Sequence, residues 1–479
     1  MTDLPTTAAG QRAAARREAG GVIDVLVVGA GPGGLAAARA ARQSGAGVVL
    51  LDAADQVGGQ FWRHPAAGQS GPVDKRFAAL WQALADDPGC EIVTGAQVWS
   101  VARRDDAPPV VHVLVGAADG AGRAARVLTA RALVLATGAH ERTLPFPGWD
   151  IPGVFTAGAA QAMAKGERVA VGRRVLVAGA GPFLLPVATS LLRLGARVVG
   201  VVEAGRWARL ARGWSARPGL LHGKGLELFG YVRELARHRV PYWAGSAVVA
   251  AHGAERVAAV TVARLSPEWT PLPGTERRIS VDAVCVSHGF VPRTEMGLAS
   301  GCAAGPDGAL LVDAAQRTTV RGVFAAGEVT GIGGADLALA EGVVAGRGAA
   351  GGVASGAELR RLAARRGFAA RLEAAHGIRP GWAGWVTDDT IVCRCEEVTA
   401  GELRAALVAT GTRGLRSLKL TSRAGLGSCQ GRMCGRSVED LMRRAVPGGP
   451  LDPGRTAVRP IVVPVRLGEI AGFLPPIER

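Results

Sequence analysis

Between Asp24 and Asp52 the chain runs through a short apolar stretch, a glycine-rich turn, an alanine-rich amphipathic stretch and a second apolar run that ends in an acid. The pattern predicts a strand over Asp24 to Val28, a helix over Leu35 to Gln43 and a strand over Val48 to Leu51. The turn between them is Gly29-Ala-Gly31-Pro-Gly-Gly34. In a strand–turn–helix of this kind the first glycine allows the tight turn, the second lets the backbone approach a pyrophosphate, and the third lets helix and strand pack closely. The helix start offers free N–H groups and the positive end of its dipole. Asp52 stands where a carboxylate can accept ribose hydroxyls. The segment therefore predicts a bound dinucleotide, with Gly29, Gly31, Gly34 and Asp52 as contacts.

The same unit returns later in altered form. Arg174 to Ala178 reads as a strand, Gly179-Ala-Gly181-Pro-Phe-Leu184 as a loop, Phe183 to Leu194 as a helix and Val198 to Val202 as a strand. Leu184 replaces the third glycine, and Pro186 sits in the first turns of the helix. Glu203 takes the place of the ribose acid; a carboxylate there disfavours a 2′-phosphate and so favours NAD over NADP. Gly179, Gly181 and Glu203 thus mark a second nucleotide site. Its alternatives are NAD, another adenine nucleotide, or a vestigial loop.

Two such units predict an α/β chain with parallel sheets and right-handed crossovers. Further along the sequence, Gly58-Gly59-Gln60 follows the first acid, and a strand near Ala132 to Ala136 leads into Thr137-Gly138. A strand at Gly322 to Ala326 is followed by Gly327-Glu328, and Gly333-Gly334-Ala335 opens a long helix. With the first loop, these segments resemble the two-dinucleotide-domain flavoproteins that include the pyridine nucleotide–disulfide oxidoreductases. The resemblance implies FAD at the first loop, with Gln60, Thr137, Gly138, Gly327 and Glu328 along it. It also implies that the helix start at Gly334 and Ala335 faces the flavin's N1–C2=O edge. The family's acid after Gly327 is an aspartate; here it is Glu328, one methylene longer. The redox cysteine pair of disulfide reductases is missing, since neither Phe61-Trp-Arg-His64 nor the Ala-Thr-Gly138 segment holds a cysteine. That excludes dithiol chemistry. His64 and His140 lie near the flavin loops and are read as structural.

The other cysteines tell more. Cys90, Cys285 and Cys302 are isolated, whereas Cys393-Arg-Cys395 and Cys429-Gln-Gly-Arg-Met-Cys434 form one cluster. Four thiolates complete the coordination of two irons in a [2Fe–2S] cluster. A four-cysteine zinc site is the rival, but zinc pairs are usually spaced by two to four residues, and C-x-C is not. Thr399 with Glu402 makes a capping box for a helix after the first pair, and a second helix carrying Val438, Leu441 and Met442 follows the second pair. The segment Ile391 to Arg444 resembles the bacterioferritin-associated ferredoxin-like [2Fe–2S] domain.

The net charge of +16 comes almost wholly from arginines that are scattered, without an aromatic and basic stacking motif. It is read as an arginine-rich surface and not as a nucleic-acid site. No run reaches the length of a membrane helix, and the first residues lack the apolar core of a secretory signal. A cytoplasmic protein is expected, peripheral to the inner membrane at most through partners.

The order of FAD loop, altered second loop and [2Fe–2S] segment resembles the large, alpha-type subunits of multi-subunit amino-acid dehydrogenases. That group includes the alpha subunits of opine oxidase and D-hydroxyproline dehydrogenase and the B subunit of hydrogen cyanide synthase. Pro145-Phe-Pro-Gly-Trp149, Gly158-Ala-Ala-Gln161, Gly331-Ile-Gly-Gly-Ala335 and Thr421 to Cys429 carry the likeness as well. It implies that a separate flavoprotein oxidises the amine, with a small ferredoxin-like protein for a further partner. It also implies electron transfer between flavin and iron–sulfur centres in this chain. The competing readings are a stand-alone NADH-dependent reductase and a non-enzymatic redox or iron-handling module. The expected layout is a disordered tail at 1–21, an FAD domain at 22–145 and 290–350, and an inserted NAD-like domain at 146–289. A helical linker at 351–387, a small helical [2Fe–2S] domain at 388–446 and a Pro-rich tail at 447–479 complete it. The tail and Arg394, Arg432 and Arg436 are candidates for a docking rim.

Overall fold

The computed structural model describes residues 21–65, 74–102, 107–118, 120–215, 225–446, 448 and 458–473. Of the expected tail at 1–21 only Gly21 is described, and of the Pro-rich tail at 447–479 only 448 and 458–473; the rest of both lies outside these residues.

The first unit folds as its pattern requires. Ile23–Val28 pairs in parallel with Val48–Leu51 on one side and with the end of Ala124–Leu135 on the other. Cys90–Val93 and Val323–Ala325 extend the parallel array at its two ends. All four residues of Val48–Leu51 are buried, as befits a strand covered on both faces. The sequence pattern marks a strand only near Ala132; the observed one is twelve residues long. Its first half pairs antiparallel with Val110–Val115, and its second half joins the parallel array. Polar residues in the first half hide it from an apolar-run reading, because one face there is solvated.

The chain passes to the second unit through Ala139–Glu141 and returns through Phe290–Pro292, and these two short strands pair antiparallel. Between them lies a five-stranded parallel sheet in the order Tyr242–Ala244, Arg197–Glu203, Arg174–Gly179, Ala283–Ser287 and Val154–Thr156. A three-stranded antiparallel sheet of Ser246–His252, Ala259–Arg264 and Arg277–Ser280 packs beside it.

The first helix, Pro32–Gln43, packs on Ala335–Ala349 with almost nothing between the backbones. A methyl group added at Gly342 would strike the Gly33 carbonyl, and one at Gly346 would strike the Ala37 carbonyl. Chain separated by three hundred residues is thus drawn together by glycines on one helix face.

The segment expected as a linker does more than connect. Gly356–His376 begins with a Ser355/Glu358 capping box and packs along both Ala335–Ala349 and Trp207–Ser215. Trp382 and Trp385 then bury themselves in a core shared by the second sheet and the cysteine domain. That domain consists of Ala400–Thr410, Leu415–Ser422 and Gly435–Ala445, with the Thr399/Glu402 capping box in place. Residues 458–473 lie across the antiparallel part of the first sheet. Val462 N–H donates to the Trp99 carbonyl at 2.9 Å, and Glu469 pairs with Arg123 at 2.6 Å.

The helix contact makes a paired test. Gly346→Ala forces the two backbones apart and should lower unfolding free energy by about 1–3 kcal/mol. Gly367→Ala, in Gly356–His376 with nothing within 4 Å, should leave it unchanged or raise it by up to about 1 kcal/mol. Urea titration of both variants reads the difference; equal losses would refute close backbone packing.

Candidate functional site

The first glycine loop is held by its own backbone. Gly29 adopts φ +101°, and an added methyl there would meet the Ala136 carbonyl. One at Gly34 would meet the Gly29 carbonyl, so this glycine serves the packing of helix on strand. Gly31 is different. Its φ of −74° suits any residue, and the nearest atom to an added methyl is Gly59 Cα at 3.9 Å. It faces a cavity of about 1600 Å³.

That cavity collects the residues expected along FAD. Gly29, Gly31, Asp52 and Gln60 line one part, and Thr137, Gly138, Gly327, Glu328, Gly334 and Ala335 line the rest. Two helix N-termini, at Pro32 and Ala335, open into it without side-chain caps. Free N–H groups at both are suited to phosphate oxygens and to an electron-rich ring edge.

Each predicted side chain has a definite setting. Asp52 accepts from Ala30 N–H at 2.6 Å and Ala54 N–H at 2.8 Å, so it braces the glycine loop; burial raises its carboxyl against these bonds. Thr137 Oγ1 donates to the Arg293 carbonyl at 2.7 Å, which ties together the chain just before Ala139–Glu141 and just after Phe290–Pro292. Gln60 is exposed and accepts from Arg63 at 3.0 Å. Burial pushes the Glu328 carboxyl up to about 7, although Gly334 N–H donates to it. A flavin ribitol or phosphate contact at this longer acid would therefore meet a group able to donate or accept.

Glu341 escaped the sequence reading. It is 2 % exposed, accepts from Gly327 N–H at 2.9 Å and Thr330 Oγ1 at 2.8 Å, and so fixes the turn that carries Glu328. A lone acid beyond the first turn of an apolar helix was the available signal.

The second unit departs from expectation at Glu203. Its carboxylate is 0 % exposed and does not line the cavity. It accepts from Gly181 N–H at 3.0 Å and Gly205 N–H at 2.8 Å. Tyr242 Oη lies 3.4 Å away and His376 Nδ1 3.5 Å away. The extra methylene lets glutamate reach Gly181 N–H, one residue beyond the N–H that Asp52 takes in the first unit. The expected ribose contact at Glu203 is thus closed, covered by the end of helix Gly356–His376. Gly179 is pressed on the Ser287 carbonyl, whereas Gly181 still faces the cavity. The helix here starts only at Leu184, two residues later than its counterpart.

The four cysteines stand in two pairs. Cys393 shares a hydrogen bond with Cys434, and Cys395 with Cys429. The shared proton holds Cys393 down to about 6 and pushes Cys434 up. Two thiolate pairs are the donor set that two irons require. Among the described residues no three metal-binding side chains already close on a single ion. Glycines make the cradle: a methyl at Gly427 would run into Cys395 Cβ, and Gly425 N–H donates to Cys393 Sγ at 3.4 Å. The residues fit the cluster.

The cysteine loop also reaches the flavin cavity. Arg432, inside the Cys429–Cys434 loop, lines the cavity and pairs with Glu295 at 2.8 Å. It further bonds the Cys429 carbonyl at 3.3 Å and the Val462 carbonyl. His140 lines the same corner, and burial lowers its imidazole. Arg436 pairs with Glu439 at 3.1 Å. Arg432 and Arg436 are thus half-buried and paired within the chain, whereas Arg394 is exposed.

Two Rossmann-like sheets sharing one cavity, with a four-thiolate loop against it, define a flavin-dependent oxidoreductase with an iron–sulfur domain. The chain belongs to the pyridine nucleotide-disulphide oxidoreductase family, which it matches over residues 23–342, and carries a BFD-like [2Fe–2S] binding domain over residues 391–444. It is 33% identical to the A subunit of opine oxidase from Agrobacterium tumefaciens, over 94% of this chain and 91% of that one. It is 32% identical to the HcnB subunit of hydrogen cyanide synthase from Pseudomonas aeruginosa, over 89% and 96%. L-proline dehydrogenase from P. horikoshii shares the fold, with a TM-score of 0.65 at 20% identity, covering 94% of this chain and 79% of that one. Among the described residues no helix is long and apolar enough to cross a membrane.

Two outcomes are expected. The Cβ of Gly31→Val makes only ordinary contact with Gly59 Cα and the side chain fills space beside the loop, so the variant should fold and purify without flavin; a fully yellow variant would remove the pyrophosphate from this loop. The second concerns pH. Between about 4.5, the ordinary glutamate value, and about 7, the folded flavin-free chain keeps a proton on Glu328 that the unfolded chain has released. Its stability should then fall as pH rises across that window, and Glu328→Gln should flatten the fall. Parallel denaturant titrations at pH 5 and pH 7 would test this; an identical pH slope in both proteins would show that Glu328 is not held up.

Proposed function

We propose that this chain is the electron-relaying subunit of an amino-acid or opine dehydrogenase complex, and that a second flavoprotein subunit oxidises the amine. The observation that carries the proposal is Arg432. It belongs to the cysteine loop, yet it lines the cavity of the first glycine loop and is locked to Glu295 there. The two cofactor sites are neighbours within one chain. A flavin bound in that cavity would supply the exchange between two-electron and one-electron chemistry that an iron–sulfur centre needs. The chain's own groups provide the setting: Gly31 for the pyrophosphate approach, with Gly29 and Gly34 for the turn and the close packing that place it, the helix start at Gly334 and Ala335 for the ring edge, and Cys393, Cys395, Cys429 and Cys434 for the irons.

Kinship with the opine oxidase and hydrogen cyanide synthase subunits supports a multi-subunit assembly. An amino acid or opine is the substrate class we assign to it, with a ferredoxin-like protein for a further partner. The stand-alone NADH reductase reading is weakened at Glu203, which is closed off from any ribose. An adenine nucleotide in the second unit would have to be held by the Gly181 side of the loop without that acid.

The single purified chain, loaded with flavin and cluster, should not reduce a dye with proline, hydroxyproline, glycine, sarcosine or opines, and should gain activity when a partner flavoprotein is added. Arg432→Met should keep its iron and flavin but slow flavin-to-cluster transfer by about tenfold, as a loop held less firmly would. Steady turnover of an amine by the single chain would overturn the relay reading, and rapid bleaching of its flavin by NADH would favour the reductase.

A further inference from the structure

We propose that Arg63 and Lys165 form an oxyanion site on the wall of the shared cavity, where a small molecule is held through a phosphate or carboxylate group. Arg63 follows the Gly58-Gly59-Gln60 turn of the first unit, and Lys165 belongs to the second. Both line the cavity. The Arg63 guanidinium lies beside the turn that carries Lys165: a methyl group added at Gly166, the next residue, would lie 3.6 Å from Arg63 Nη1, and the Arg63 charge is felt at the Lys165 ammonium.

Among the described residues no acid pairs with either cation. Lys165 Nζ donates to the Phe61 carbonyl at 3.3 Å, and Arg63 donates to the Gln60 side chain at 3.0 Å. Both partners are neutral, and among the described residues neither cation makes an ion pair. The sequence from His64 to Val73 contains no acid either, and Asp74, which comes next, is taken by Arg76. The contrast with Arg76 is instructive. It lies over the same Phe61 ring, at 5.9 Å, but is matched by Asp74 and Asp336 at 3.3 and 2.8 Å. At Lys165 burial and the nearby Arg63 both work against the ammonium. Holding two like charges in a partly desolvated wall is unfavourable unless an anion joins them.

The backbone at Lys165 is unusual in its own right. Met163–Glu167 is a π-helical turn, and the chain leaves it through Arg168 in the left-handed region, at φ 57°. Single π turns inside helices often sit at functional positions. Here the turn directs Lys165 to the cavity, where the half-exposed Phe61 ring lies 6.0 Å from its Nζ. The arrangement is an anion seat with an apolar shelf. It is separate from the pyrophosphate loop, whose donors are the N–H groups at the start of Pro32–Gln43.

The test uses the whole chain with flavin and cluster in place. It is titrated by calorimetry at low ionic strength with inorganic pyrophosphate and, separately, with succinate, against sodium chloride at equal ionic strength. In parallel, acylation of Lys165 by an amine-reactive ester is followed by peptide mass spectrometry with and without each anion. At least one anion should bind and slow Lys165 acylation. Arg63→Gln/Lys165→Met should bind it at least about tenfold more weakly with flavin content unchanged, and Lys165→Arg should stay within about threefold of the parent. Pyrophosphate alone would identify a phosphate ligand, succinate alone a carboxylate ligand, and both a general oxyanion seat. Binding of neither, or equal binding by the double variant, would overturn the proposal. Loss of flavin from the double variant would overturn it too, by assigning the pair to the flavin; the Gly31→Val result is independent of that outcome. Should the double variant fail to fold, protection of Lys165 in the parent protein decides the matter.

Discussion

Everything in this molecule is arranged around the contact between Pro32–Gln43 and Ala335–Ala349. Backbone carbonyls of Gly33 and Ala37 occupy the space that side chains at Gly342 and Gly346 would need. The contact brings the late strand Val323–Ala325 to the edge of the first sheet and sets two uncapped helix starts around one cavity. The intervening chain must then leave and return at one place, which it does through the paired strands Ala139–Glu141 and Phe290–Pro292. Helix dipoles reinforce the outcome, since two positive ends aimed at one cavity favour a ligand rich in negative charge.

The second unit shows how one methylene changes a site. Asp52 and Glu203 end equivalent strands, and each bonds the glycine loop before it and the residue two positions after it. The shorter acid stops at Ala30 N–H and still borders the cavity. The longer one engages Gly181 N–H and is sealed by Tyr242 and His376. An acid that reads as a ligand contact has become part of the protein's internal bonding. The helix that seals it lies in a segment whose sequence suggested only a connector.

The cysteine domain is built into the rest by polar struts. Ser437 Oγ donates to the Thr143 carbonyl at 2.5 Å, Trp149 Nε1 to the Ile391 carbonyl at 2.6 Å, and Arg142 pairs with Asp440. A shared apolar core runs from Leu144 and Trp149 through Trp382 to Leu403 and Met442. Such docking holds a thiolate loop at a constant distance from a flavin cavity, which a flexibly tethered domain would not do. Two arginines near the cysteines, Arg432 and Arg436, are paired within the chain.

Local pattern determined a good deal. The two strand–loop–helix–strand units, two of the cysteine domain's three helices and the Thr399 capping box depend on residues close in sequence, so periodicity and spacing reveal them. The segments that meet in the shared cavity were legible because each carries glycines at a turn. Tertiary structure alone decided what required distant groups to meet. The long strand Ala124–Leu135 takes its second role from partners a hundred residues away. Glu341 becomes a brace only because Gly327 folds back over it. Glu203 is closed by His376, and Arg432 becomes a link between two sites by finding Glu295. In each case the residue type announces a charge or a hydrogen-bonding capacity, but its partner is chosen by packing, and packing is a property of the whole chain.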